Sequence, residues 1–233
     1  MYSLNKISPE YPRIPHLDPN ISKMTYDDIL LDHNIQFPIE GYISEKVDGA
    51  NMGISWFNDG PVLRNRNHIL KKGYSKIRTP AKEQFKSAWN WVHDHKKDIE
   101  FIKNELMSDV TIYGEWMNFS HSILYDKLPD IFLAYDIWVV EDKRFISPII
   151  FEDLMNQTKI KYIKPIKIKF DNIEDVIFAS ERLSNYRDGI SEGIVFKSVD
   201  GRFVGDTWKV VNKYFERRDD FNITDPIKNI MVA

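Results

Sequence analysis

The chain has 233 residues, 42% of them hydrophobic and 29% charged, the balance of a soluble globular protein, and no apolar run approaches the roughly 18 residues that span a bilayer. The lack of any cysteine excludes disulfides, thiolate zinc sites and cysteine nucleophiles. A formal net charge of −3 excludes a uniformly basic nucleic-acid coat. The N-terminal MYSLNKISPEYPRIPHL lacks the apolar centre of a signal peptide. The expectation is a cytoplasmic protein with no membrane association, folding as one domain over residues 1–233.

Strand-like residues fill GYISEKV and NMGISWF on either side of Asp48-Gly49, which reads as a tight turn with Gly49 at positive φ. Asp59-Gly60 is a second hairpin signal, leading into PVLRNRN. The three runs predict an antiparallel meander. From about 80 to 107, Phe85, Trp89, Val92, Ile99, Ile102 and Leu106 recur at helical spacing with charges between them, which predicts one amphipathic helix. VTIYGEW and DIFLAYDIWVV read as strands, residues 149–157 as a short helix, and KYIKPIKIKF as a further strand. Helix is predicted again from about 172 to 183, capped by Asp171 or Asn172. GIVFKS and TWKVVNK are the last strands, with Asp200-Gly201 as the turn after the first. Antiparallel strands interrupted by helices make an α+β fold.

Charge is segregated along the chain. From Pro61 to Lys82 there are seven cations (Arg64, Arg66, Lys71, Lys72, Lys76, Arg78 and Lys82) and no acid, so this run, with Tyr74 available to stack, is the expected surface for nucleic-acid phosphates. A second basic run, KIKYIKPIKIK, reads equally well as a solvated face. His93 and His95 cannot share a helical face at a spacing of two and predict no metal site. Trp89, Trp91 and Trp138 lie in apolar patterns and are packing residues. EYPRIPHLDPN is stiffened by proline, and could bring Arg13 and His16 to a phosphate end.

Lys46 stands between Glu45 and Asp48-Gly49 at a strand end. A lysine is a poor nucleophile at its free pKa of about 10.4, so it needs a neighbouring cation or desolvation to release its proton. Arg64, Lys209 or a bound metal could supply that. Further elements follow in order: RNRN at Arg64, YGEW at Glu115, LAYDIW at Tyr135, SEGIVFK at Glu192 and WKVVNK at Lys209.

With these elements the chain resembles, over most of its length, the covalent nucleotidyltransferase superfamily of RNA ligases, DNA ligases and mRNA capping enzymes. EKVDGAN is most similar to the first motif of the phage-type nick-sealing RNA ligases, Glu-Lys-x-x-Gly-x-Asn, which Lys46 and Asn51 match. The resemblance implies a nucleotidyltransferase domain, the ATP-grasp-like ligase adenylation fold of antiparallel sheets flanked by helices. It implies that Lys46 attacks the α-phosphorus of ATP, expels pyrophosphate and carries AMP as a phosphoramidate. Arg64 and Lys209 match positions that offset phosphate charge. Glu115 and Glu192 match two glutamates that place carboxylates for ribose and metal, Asn51 holds a metal-bound water, and Mg²⁺ or Mn²⁺ suits these oxygen ligands. Tyr135 falls where an aromatic ring stacks on adenine, and Glu45 at the adenine edge. The expected activity joins RNA 5′-phosphate and 3′-OH ends, with no obligate protein partner, and would fit a virus or phage repairing its host's RNA.

The chain also departs from the family pattern. The last motif commonly has a second lysine where Val211 stands, and Lys213 lies about 13 Å beyond Lys209 at roughly 3.3 Å per strand residue. The α-phosphate therefore falls to Lys209, and Lys213 is left for RNA. Asp48 is the residue usual in DNA ligases and capping enzymes. Residues 214–233 are too few for five strands, so no OB-type domain is expected after the last motif. A DNA nick ligase, a capping-type guanylyltransferase and a non-catalytic RNA-binding protein on the same fold stay open beside the RNA ligase reading.

Overall fold

The structure is a computed structural model that describes residues 8–57, 60–70, 83–215 and 227–232. In chain order these residues form β1 (Ile39–Glu45), β2 (Ala50–Phe57), β3 (Gly60–Arg64), β4 (Ile69–Leu70), α1 (Ala88–Asp94), α2 (Lys96–Leu106) and β5 (Val110–Trp116). There follow β6 (Phe132–Val139), β7 (Arg144–Phe145), α3 (Pro148–Asn156), β8 (Ile166–Phe170), α4 (Ile173–Ser180), β9 (Gly193–Asp200) and β10 (Phe203–Val211). The strands make a six-stranded antiparallel sheet ordered β4-β3-β2-β5-β6-β7 and a four-stranded one ordered β10-β9-β1-β8. This is the α+β architecture that the sequence pattern predicts. Among the described residues no helix is long and apolar enough to cross a membrane.

The six-stranded sheet has two unlike faces because successive strand residues point to opposite sides. Met52 and Ile54 of β2 and Ile112 and Trp116 of β5 are buried with Trp91, Val92, Ile99 and Ile102 of the helices. The other face carries Asn51, Ser55, Thr111, Tyr113 and Glu115, with Asn51 opposite Glu115 in register. The four-stranded sheet packs Ile43, Ile194, Phe196, Trp208 and Val210 against Val176 and Ala179 of α4. The rings of Phe196 and Trp208 stack at 4.4 Å.

Asp48-Gly49 is not a hairpin turn. β1 pairs with β8 and β9, while β2 pairs with β3 and β5, so residues 46–49 carry the chain from one sheet to the other. Gly49 is outside the positive-φ glycines. Glycine is needed there for space, since a Cβ would lie 2.7 Å from Met117 Sδ and 2.9 Å from Glu115 Cγ.

The single helix predicted to end near 107 is two helices, broken at His95 (φ −100°, ψ 14°). The His95 ring stacks on Trp91 at 3.9 Å and its Nδ1 lies 2.8 Å from Trp91 O, while His95 N to Trp91 O and Ile99 N to His95 O, both 3.1 Å, carry the backbone bonding across the break. Strand β8 starts only after Pro165, which has no N–H for a sheet ladder. Helix α4 ends at Ser180, short of Leu183, and Asn172 is its cap, accepting from Asp175 N at 3.0 Å.

The proline-rich N-terminal segment joins the two sheets. Lys209 N donates to Pro15 O at 2.8 Å and Leu17 N to Lys209 O at 3.0 Å, so residues 15–17 extend the four-stranded sheet beside β10. Further back, Arg64 Nη1 donates to Ser8 O and Tyr113 OH to Pro9 O on the polar face of the six-stranded sheet.

Gly193 opens β9 at φ +153°, and a Cβ there would lie 2.0 Å from Val210 O. Gly193→Ala is expected to cost about 2–4 kcal/mol of folding free energy, from backbone strain and overpacking together. Urea denaturation checks this, and an unchanged midpoint would contradict it.

Candidate active site

The site lies where the two sheets meet. Just beyond β1, Lys46 N donates to Gly193 O at 2.9 Å, which brings the lysine beside the residue preceding β9. Lys46 Nζ lies 2.6 Å from Glu192 Oε2; the lysine side chain is 24% exposed and the glutamate 1%. From the facing sheet, Glu115 Oε1 accepts from Gly49 N at 3.1 Å, and Asn51 Nδ2 donates to Tyr135 OH. A cavity of about 110 Å³ lies between them, with Glu45, Lys46, Asn51, Glu115 and Tyr135 in its wall. Glu45 is held by a loop: Oε1 accepts from Ser184 Oγ at 2.5 Å, and Oε2 from Asn185 N at 2.8 Å and Nδ2 at 2.9 Å.

Tyr135 owes its place to a bulge. The register of β5 and β6 runs Glu115↔Leu133, Gly114↔Ala134 and then Tyr113↔Asp136, which leaves Tyr135 as the extra residue. A bulge turns two consecutive side chains to one face, and Tyr135 and Asp136 both turn to the polar side. Asp136 Oδ1 lies 2.6 Å from Lys197 Nζ, and its Oδ2 accepts from Tyr11 OH at 2.5 Å. Lys197 Nζ also donates to Tyr135 O at 2.9 Å. Tyr11 and Lys197 line the cavity as well.

Neither Tyr11, Asp136 nor Lys197 was selected from the sequence. Lys197 lies within the SEGIVFK string itself. Strict alternation along β6 would put Asp136 on the face opposite Tyr135, and only the bulge brings it round.

Two of the basic residues exchange places relative to the sequence reading. Arg64 is buried and is not in the cavity wall. Its guanidinium donates to Ser8 O, Asn65 O and Arg66 O, and Nη2 lies 3.6 Å from Glu10 Oε1. Arg66, selected as a nucleic-acid contact, lines the cavity instead. Lys71, Lys72, Lys76 and Arg78 lie outside the described residues. Lys209 Nζ is paired with Asp28 Oδ1 at 2.9 Å. Lys213 lies past the end of β10 and donates to Asn20 O. His16 is wholly buried, and Arg13 is engaged with Asp27, so neither reaches the cavity. Among the described residues no three His, Asp or Glu side chains form a metal-ligating group.

The electrostatics of Lys46 run opposite to the expectation of lowering by nearby cations. Burial pulls its pKa down, but the carboxylates of Glu192, Asp48 and Glu115 outweigh this and the net shift is upward. Glu115 is pushed up to about 8, chiefly by burial, with Asp48 and Glu192 adding to it and Lys46 opposing. Glu45 is raised by burial against its hydrogen bonds. Lys209 is lowered by burial, with Asp28 acting against it. Asn51 Oδ1 is buried with no hydrogen-bond partner among the described residues.

The RNA ligase family model matches residues 39–215, and the chain belongs to that family. Solved structures of Naegleria gruberi RNA ligase share the fold. A point mutant with ATP and Mn superposes with a TM-score of 0.56 at 19% identity, over 74% of this chain and 50% of that one. The ligase with PPi gives 0.54 at 21% identity, over 74% and 49%, and a mutant with AMP and Mn gives 0.53 at 17%, over 74% and 49%. The chain thus spans about half the length of these structures. No curated protein matches the sequence.

Two tests follow from the geometry. Arg64→Ala leaves buried carbonyls unpaired and is expected to cost about 2–4 kcal/mol in chemical denaturation, whereas Arg66→Ala leaves stability unchanged. Equal losses would contradict the two placements. Glu115 keeps a proton in the folded state that the unfolded chain releases above its ordinary 4.5, so its contribution to stability is present at acidic pH and lost as pH rises to about 8. Thermal melting without nucleotide should therefore show Glu115→Gln gaining on the parent between pH 5 and 8; parallel curves would refute the raised carboxyl.

Proposed function

We propose that the chain is an ATP-dependent RNA ligase that joins 5′-phosphate and 3′-OH RNA ends in three nucleotidyl transfers. Lys46 takes AMP from ATP, AMP passes to the 5′-phosphate, and the 3′-OH then displaces AMP to form the phosphodiester. Family membership supports the reaction class. The observation that carries the assignment of Lys46 is its place, ion-paired with buried Glu192, in the wall of a cavity that also presents Tyr135.

In the first transfer Lys46 Nζ forms a bond to the α-phosphorus as the bond to pyrophosphate breaks. The ammonium must first give up a proton, and Glu192 Oε2 at 2.6 Å is close enough to accept it. Tyr135, fixed by Asn51 and by the Lys197–Asp136 pair, offers its ring to adenine, and Glu45 faces the base edge. Arg66, rather than Arg64, is the cavity cation for phosphate, together with Lys209, which interacts electrostatically with Lys46 and Glu192.

The donor set suits a hard divalent cation such as Mg²⁺ or Mn²⁺. The unpartnered Asn51 Oδ1 and the clustered Glu115 and Glu192 are oxygen ligands lacking enough positive charge. When bound, the metal would offset the charge of the phosphates. The ATP, AMP and Mn in the Naegleria ligase structures support the same choice. For the RNA strand, Lys71, Lys72, Lys76 and Arg78 supply the phosphate contacts. Repair of broken RNA in the cytoplasm is the setting this reading implies.

Incubation with α-labelled ATP and Mg²⁺ tests the reading. The parent is expected to take label, faster as pH rises above neutral because Lys46 must lose its proton, and to pass it to 5′-phosphorylated RNA. Lys46→Ala should stay folded, melt below the parent because buried Glu192 loses its partner, and take no label. Label on Lys46→Ala would remove the lysine from its role.

A further inference from the structure

Lys209 is held from outside both sheets. Its partner Asp28 belongs to the N-terminal segment, and the two side chains are 16% and 20% exposed. The other carboxylate oxygen is tied down, with Asp28 Oδ2 accepting from Thr25 N at 3.0 Å and from Thr25 Oγ1 at 2.9 Å. His16 Nε2 lies 3.2 Å from Asp28 Oδ1. The opposite side of that ring is fixed too, since His16 Nδ1 meets Ser22 Oγ, which accepts from Val211 N at 2.8 Å. The chain on either side of His16 is bonded to the backbone of Lys209 itself. An ammonium has three N–H donors. Asp28 takes one and leaves the others for a phosphate.

We propose that Asp28 is a positioning residue for adenylation: anchored by its two hydrogen bonds from Thr25, it fixes Lys209 Nζ in one orientation toward the α-phosphate of ATP. The inference rests on the ligase reading and adds to it a working part supplied by the N-terminal segment. A free lysine loses rotamer freedom when it is ordered, and the Asp28 contact provides that order before nucleotide arrives. The titratable groups facing Lys209 are Asp28 and His16 from the segment, the latter held neutral by burial and by Lys209 itself, Lys46 from the end of β1 and Glu192 from before β9. Burial lowers the Lys209 amine and Asp28 opposes this, so an enzyme without Asp28 loses the Lys209 charge at lower pH.

The test is single-turnover labelling of the full chain from α-labelled ATP and Mg²⁺ across pH, with thermal melting of each variant. Asp28→Asn is expected to slow labelling about tenfold or more with little change in KM for ATP, and to move the alkaline fall of the profile to lower pH. Asp28→Glu should recover part of both. Arg13→Ala, which breaks a contact of the same segment to Asp27, should follow the parent. Parental rate and profile in Asp28→Asn would overturn the proposal, as would an equal loss in Arg13→Ala with the same pH profile. Should Asp28→Asn fail to fold, Asp28→Glu decides: slower labelling supports the role, and parental rate overturns it. A parent that takes no label at any pH overturns the ligase reading and this inference with it, whereas a labelled parent beside an unaffected Asp28→Asn overturns the inference alone.

Discussion

The ion pair between Lys46 and Glu192 sits at the one place where both sheets and the chain crossing between them come together. Its 2.6 Å contact depends on backbone pairing as much as on charge. Lys46 N bonds to Gly193 O, and Gly193 has no side chain to hold off β10, whose Val210 O occupies the space a Cβ would need. Burying two opposite charges costs solvation that only close, well-oriented pairing offsets. Here the pair also has a negative neighbour in Asp48, while Glu115 stays protonated up to about pH 8. With Glu192, Asp48 keeps Lys46 protonated in the protein alone, and above that pH Glu115 adds a further negative charge. On this reading the resting site is at least one positive charge short, and the substrate complex supplies it.

Around that pair, three devices set the other groups. The bulge in β6 turns Tyr135 and Asp136 to one face, so one strand presents both a ring to the cavity and an acceptor for Lys197 and Tyr11. The N-terminal segment reaches both sheets, contributing Tyr11 to the cavity and Asp28 to Lys209. Arg64 holds the start of that segment through Ser8 and Glu10. Arg64, two positions before the Arg66 that lines the cavity, is thus structural.

The strands and the helix faces were legible because alternation and helical spacing are strong signals, as in NMGISWF and in Ile99, Ile102 and Leu106. The order of Lys46, Glu115, Tyr135, Glu192 and Lys209 was legible as well, because fixed strings carry them. Pairing between distant strands was not: Asp48-Gly49 has the composition of a hairpin turn, yet it crosses between sheets, since nothing local reveals that β1 prefers β8 and β9. The break at His95 was hidden because no Gly or Pro marks it. Arg64 and Arg66 share a strand face by alternation, and only the Ser8 and Arg66 carbonyls around Arg64 tell them apart. Asp28 and Tyr11 could not be found at all without the path of the N-terminal segment.

The protonation state of Lys46 tests this account most directly. A pH titration of its side-chain amine by NMR, in the ligand-free protein and in Glu192→Gln, reads it without any turnover. The account predicts a pKa above the ordinary 10.5 in the parent and a fall when the Glu192 charge is removed. A parent value at or below 10.5, or no change in Glu192→Gln, would contradict it.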